Sequence, residues 1–230
     1  MRFFWPLVIA PLLFGAQLKQ KVELGYFGTT GNSETTSLSA GYKFDYHNKK
    51  NKAQFSTDIL YATRGGKKSS ERYRAKLDLY HYKRPSFYYY AQFSFLRNTF
   101  EGYNQQYNLS PGFGYGLYKS PHNRVDFLIG YLFRRNNYTT QHSQNFNYIK
   151  GEVKFIHKFT KKNSFDATLD YIENVEHAKD FESHLTTHLK LWIVNSFYFK
   201  LAFELKYDNL PPKGKLKTDT LTKASIVYNF

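Results

Sequence analysis

Apolar residues recur at every second position from Val22 to Phe230, in runs of about 10 to 14 residues separated by polar connectors. Leu38, Ala40, Tyr42, Phe44 and Tyr46 share one face, as do Phe55, Thr57, Ile59 and Tyr61, and Tyr73, Ala75, Leu77 and Leu79. The same alternation continues through Phe87–Phe95, Tyr107–Leu117, Val125–Phe133, Ile149–Phe159, Phe165–Tyr171, Leu185–Ile193 and Phe197–Tyr207. Side chains of a strand alternate sides, so each run predicts a strand with one apolar and one polar face. The last run is the clearest. Thr220, Thr222, Ala224, Ile226, Tyr228 and Phe230 fall on one side, Asp219, Lys223, Ser225 and Asn229 on the other.

Connector lengths add a second pattern. His47–Lys52, Lys83–Ser86, Lys119–Asn123, Thr160–Asn163 and Val194–Ser196 are short. Gly28–Glu34, Arg64–Glu71, Asn98–Gly102, Arg134–Asn145, Glu173–Glu182 and Asp208–Lys217 are mostly longer. Short turns alternating with long loops, and an even number of strands, are the pattern of a bacterial membrane barrel with both termini in the periplasm. The fold expected is all-β: a single transmembrane antiparallel up-and-down β-barrel of about 12 strands over residues 17–230. Ahead of it, Arg2 and the apolar run Phe3–Ala16 are too short for a spanning helix. They predict a signal peptide over residues 1–16.

Composition agrees with a barrel. There are 21 Tyr and 22 Phe, yet mean hydropathy is −0.61, as expected where aromatics cover an outer surface and polar residues fill the interior. With no cysteine there is no disulfide, lipid anchor or thiolate metal site. The net charge of +15 raises nucleic-acid binding. Its distribution argues otherwise, because Lys49, Lys50, Lys52, Lys83, Arg84, Lys119, Arg124, Lys161 and Lys162 gather in the short connectors. A solvated basic rim that keeps the turns out of lipid is the simpler account.

Parity sends a mixed set of charges inward. Lys43, Arg72, Arg74, Lys76, Lys150, Lys154, Lys190, Lys200 and Lys223 are the lumen-facing cations expected, partly offset by Asp58, Asp78, Glu152 and Glu204. Such charges either pair across the ladder and close the lumen, or leave a narrow pore with mild anion preference. His184 and His188 share the inward face about 13 Å apart, too far to hold one metal ion. His157 points outward without a serine on its strand's outward face, and no Gly-x-Ser-x-Gly elbow or phosphate loop occurs. Neither an enzyme nor a cofactor is expected.

Three segments carry a family resemblance: Gly31-Asn-Ser-Glu-Thr-Thr-Ser-Leu-Ser-Ala-Gly41; Phe100-Glu-Gly-Tyr103 ahead of Gly112-Phe-Gly-Tyr115; and Tyr207-Asp-Asn-Leu-Pro-Pro-Lys-Gly214 leading into Lys217-Thr-Asp-Thr220. In that order and spacing they resemble the salt-induced outer-membrane protein family, catalogued as domain of unknown function 481. The resemblance implies an outer-membrane barrel without catalytic residues. Ile226, Tyr228 and Phe230 match the alternating aromatic end of such barrels, so they are expected to serve as an assembly signal. The partners expected are outer-membrane lipid, the barrel-assembly machinery and small solutes or ions.

Overall fold

The computed structural model describes residues 17–29 and 35–230. The predicted signal segment 1–16 and the tip of the first hairpin, with Gly31 and Asn32 of the family-like motif, lie outside the described residues. Twelve antiparallel strands close into a barrel in chain order. They are β1 (Gln17–Thr29), β2 (Thr35–His47), β3 (Asn51–Arg64), β4 (Lys67–Tyr82), β5 (Phe87–Asn98) and β6 (Tyr103–Lys119). There follow β7 (Asn123–Tyr138), β8 (Gln144–Lys158), β9 (Ser164–Asn174), β10 (Phe181–Val194), β11 (Phe197–Asp208) and β12 (Thr218–Asn229). Closure leaves no open sheet edge, the condition for a sheet to cross a bilayer. The β1–β12 seam pairs Lys21–Leu24 with Ile226–Asn229, a much shorter register than the Gln17–Thr29 ladder of β1 with β2.

Several strands run past their expected ends. Arg64–Glu71, expected as one of the longer loops, is instead a two-residue turn at Gly65-Gly66. Both glycines have positive φ, 55° and 73°, which suits a primed hairpin turn whose twist matches its strands. Arg134, expected in a loop, belongs to β7, and Lys52 and Arg124, expected in basic turns, belong to β3 and β7. Polar residues at even positions had simply continued the strand pattern beyond its last apolar residue.

The outer surface is apolar in the middle, where Ile59, Phe93, Leu109, Ile129, Val153, Leu169 and Leu201 are exposed. Aromatics band the two ends. Phe87, Tyr89 and Phe113 cluster at the end holding the chain termini, with centroids 5.5–6.2 Å apart. Tyr171, Phe181 and Tyr207 cluster at the opposite, loop end, at 5.9 Å spacings. An apolar band between aromatic girdles is the surface that a bilayer covers.

Inside, Tyr80, Tyr88, Tyr90 and Leu128 form a buried cluster against β6 and β7. Glycine is required beneath it: a β-carbon on Gly114 would lie 2.1 Å from the Tyr88 ring, and one on Gly112 2.7 Å from that of Tyr90. The absent side chains let two tyrosine rings lie flat on the inner wall.

Candidate functional site

The lumen divides into a loop-side half and a terminal half, defined by the nearer barrel end. On the loop side, β4 supplies Arg72 and Arg74, β3 supplies Asp58 and β11 supplies Glu204. Arg72 donates to Glu204 at 2.9 Å and to Asp58 at 3.1 Å; Arg74 donates to Asp58 at 2.6 Å and to Glu204 at 3.1 Å. Four strands (β3, β2, β1 and β12) separate β4 from β11 on the shorter way round, so the quartet spans the lumen. Two arginine forks on two carboxylates satisfy one another, which holds this arrangement rigid.

A second bridge joins β7 to β10. Arg134 donates to Glu182, both side chains only 4% exposed, and to the amide oxygen of Asn108 at 2.9 Å. The guanidinium also lies 5.0 Å from the Tyr148 ring centroid. Above these bridges, loop 99–102 meets loop 209–217 from the opposite side of the barrel. A β-carbon on Gly102 would lie 3.0 Å from Cβ of Pro212, and Lys206 reaches Glu101 at 3.4 Å. The two loops form a strap across the mouth.

At mid-height, Lys150 of β8 lies 2.6 Å from Glu152 and 3.0 Å from Asp170, and donates to Gln92 of β5 at 2.7 Å. Lys154 lies 2.5 Å from Glu152 and donates to the Tyr80 hydroxyl of β4 at 3.1 Å. These contacts bar the lumen on the β4–β8 side, directly beside the tyrosine cluster.

The terminal half is less balanced. Glu23 is held by Lys200 at 2.6 Å and Lys223 at 2.8 Å, and Lys76 lies 3.4 Å from Asp78. Lys21 and Lys43 share Asp45 at 3.9 and 3.8 Å, the outer limit of an ion pair. Lys190 rests its ammonium 4.2 Å from the Tyr198 ring, and Lys52 rests 5.2 Å from that of Tyr80. Neither makes an ion pair among the described residues. Of the remaining carboxylates, Asp126 is taken by Arg124 at 2.6 Å and Asp166 accepts from His188 at 2.7 Å. Lys21, Lys43, Lys52 and Lys190 therefore face only Asp45 and the His188-engaged Asp166, and Lys21, Lys43 and Lys190 lie within mutual repulsion.

The charges that parity assigns to the inward face fall in two different settings. Asp58, Arg72, Arg74, Lys150, Glu152, Lys154 and Glu204 are gathered into the bridges of the loop side and the middle. Lys43, Lys76, Asp78, Lys190, Lys200 and Lys223 line the terminal half. Sequence reasoning missed the Arg134–Glu182 bridge, assigning both residues to loops, and left Lys21 out of the lumen set. Their parity with the inward residues of β7, β10 and β1 was the available signal. His184 stands 3.2 Å from Glu182, away from His188, and no metal-ligating cluster occurs among the described residues. His157 contacts Asn123 at 2.7 Å on the outer surface.

Comparison with known proteins gives one family. The model for "Protein of unknown function, DUF481" matches residues 22–230. The uncharacterized protein YdiY of Escherichia coli (strain K12) is 24% identical over 212 residues, covering 89% of this chain and 80% of that protein. An outer membrane channel from Pseudomonas putida F1 superposes with a TM-score of 0.56 at 9% identity, covering 99% of this chain and 100% of the channel. That likeness is one of fold.

Proposed function

The chain belongs to the DUF481 family of outer-membrane β-barrels, and from that footing we propose that it forms a narrow passage for small solutes and ions that prefers anions. The observation carrying this reading is the lysine excess of the terminal half. Lys21, Lys43, Lys52 and Lys190 face only two carboxylates, Asp45 and Asp166, and the Lys43 side chain is 43% exposed, hence open to water. A constriction walled by low-dielectric protein focuses such a field on passing ions. Planar-bilayer recording in a KCl gradient tests it: the reversal potential is expected to have the sign of anion selectivity. Cation selectivity from folded protein would overturn it.

A second reading has its own support. Leu128 is fully buried, the Arg134–Glu182 bridge is dry, and a strap crosses the mouth. A barrel filled this way could be closed and stabilise the envelope or present its loops to a partner. Absence of conductance from verified folded protein would favour this reading over the passage.

The same proposal includes the route to the membrane. Residues 1–16 direct export, and Ile226, Tyr228 and Phe230 are read by the assembly machinery. Tyr228 packs on Phe197 at 5.0 Å and on Phe230 at 4.7 Å, and the Phe230 N–H donates to the Gln20 carbonyl at 3.0 Å. The terminal aromatic therefore also fastens the seam. Deleting Phe230 is expected to lower the membrane-inserted fraction far more than Asn229→Ala, measured by heat-modifiable migration on gels. Equal insertion of the two variants would sink the signal.

A further inference from the structure

The charged walls of the lumen are interrupted by one that carries no charge. Every other strand places an ionisable Lys, Arg, Asp or Glu inward, whereas β5 and β6 present Gln92, Ser94, Asn98, Gln106, Asn108 and Ser110 among the described residues. These side chains line a cavity of about 440 Å³, inside the roughly 300–1,000 Å³ of small-molecule sites. The cavity is roofed by Phe100 and Glu101 of the strap and floored by Lys150, whose ammonium is already taken by Glu152, Asp170 and Gln92.

On its lining, Nε2 of Gln92 has no partner, Oγ of Ser110 has only the Tyr90 hydroxyl beside it, and Nε of Arg72 has no partner. Their residues are 4%, 2% and 8% exposed. Gln92 and Ser110 are direct cross-strand partners, so an amide donor and a hydroxyl stand side by side. Buried polar groups are ordinarily satisfied, and leaving them otherwise is costly. The cations around them are committed to the Asp58–Glu204 quartet and to Glu182 and Glu152, with Lys76 on Asp78 and Lys206 on Glu101. A free anion would have to compete with those carboxylates; a neutral hydroxyl would not.

We propose that this chamber binds one neutral saccharide of mono- or disaccharide size, its hydroxyls engaging Gln92, Ser110 and the Arg72 Nε. The site is distinct from the Lys21, Lys43, Lys52 and Lys190 cluster of the terminal half. Anion transit and saccharide binding can therefore fail separately.

The test is isothermal titration of the folded full-length barrel in detergent with glucose, sucrose and sodium glucuronate. Glucose or sucrose is expected to give saturable heat, and glucuronate to bind more weakly than glucose. Ser110→Ala removes only a hydroxyl whose one polar neighbour in the protein is the Tyr90 hydroxyl, so the barrel still folds. Ser110→Val also fills the space. Affinity for the neutral sugar is expected to fall about tenfold in either variant, the scale of losing one buried hydrogen bond. Bilayer ion selectivity is expected to stay unchanged. Absence of saturable heat from either neutral sugar, tighter binding of glucuronate, or unchanged affinity in both serine variants would each overturn the proposal. Saccharide binding without anion preference would refute the passage's selectivity and leave the chamber standing.

Discussion

The two halves of the lumen use the same residue types to opposite ends. On the loop side, arginines meet carboxylates in closed sets, and Arg134 and Glu182 are almost wholly buried. In the terminal half, lysines outnumber carboxylates, Lys43 stays half-exposed, and Lys52 and Lys190 rest on tyrosine rings. Arginine's planar fork fits a carboxylate in two places and tolerates dehydration, while lysine's ammonium keeps its water. Desolvated ion pairs hold geometry; hydrated, underpaired ones create a field. The contrast teaches that total lumen charge is a poor guide to what a barrel does, because paired charge is structural.

Breaking the dry bridge gives the largest expected effect. Glu182→Ala strands the Arg134 guanidinium and is expected to cost about 3–5 kcal/mol of stability, read as a lowered urea midpoint by gel migration. The double variant Arg134→Met with Glu182→Leu is expected to recover most of that loss. If Glu182→Ala unfolds at the wild-type midpoint, the loop side is not the rigid half.

Overpacking the inner wall comes next. Gly114→Val drives a branched side chain into the Tyr88 ring and is expected to cost about 1–3 kcal/mol. Tyr88→Ala in the same chain makes room for it. A double variant no more stable than Gly114→Val alone would refute the ring-on-glycine account.

Neutralising the terminal half is expected to leave stability nearly untouched and move selectivity instead. Lys43→Gln with Lys190→Gln shifts the reversal potential toward cations, whereas Arg74→Gln shifts it less because its charge is paired. The difference is expected to shrink in 1 M KCl, where the Debye length is about 3 Å. An equal shift from both changes would erase the distinction between the halves.

The smallest effect concerns the seam. Amides of β1 and β12 are expected to exchange before those of β6 and β7, since the seam register covers only Lys21–Leu24 and Ile226–Asn229. Simultaneous exchange would show the barrel opening as one unit.

Much of the fold was legible because a strand records its environment at every second residue. A one-residue slip would put Phe113 and Ile129 into the lumen and Asp126 into lipid. Strand ends were less legible: Arg134, Asn136 and Lys52 continue the parity without an apolar residue to mark it. The Gly65-Gly66 turn was read as part of a long loop because Lys67–Ser70 look polar and solvated, yet they pair with β3.

The amino-acid sequence by itself determined the architecture, its twelve strands and the alternation of apolar and polar faces. These follow from local periodicity and hydrophobicity, which act between neighbours in the chain. Only the tertiary structure decided which charges meet. Arg72 and Glu204 are 132 positions apart in sequence and 2.9 Å apart in space, because closure carries β4 opposite β11. Parity assigns a side chain to the lumen but not to a partner across it. The division into a bridged half and a lysine-rich half exists only once the barrel's diameter and stagger bring distant strands within a side chain's reach.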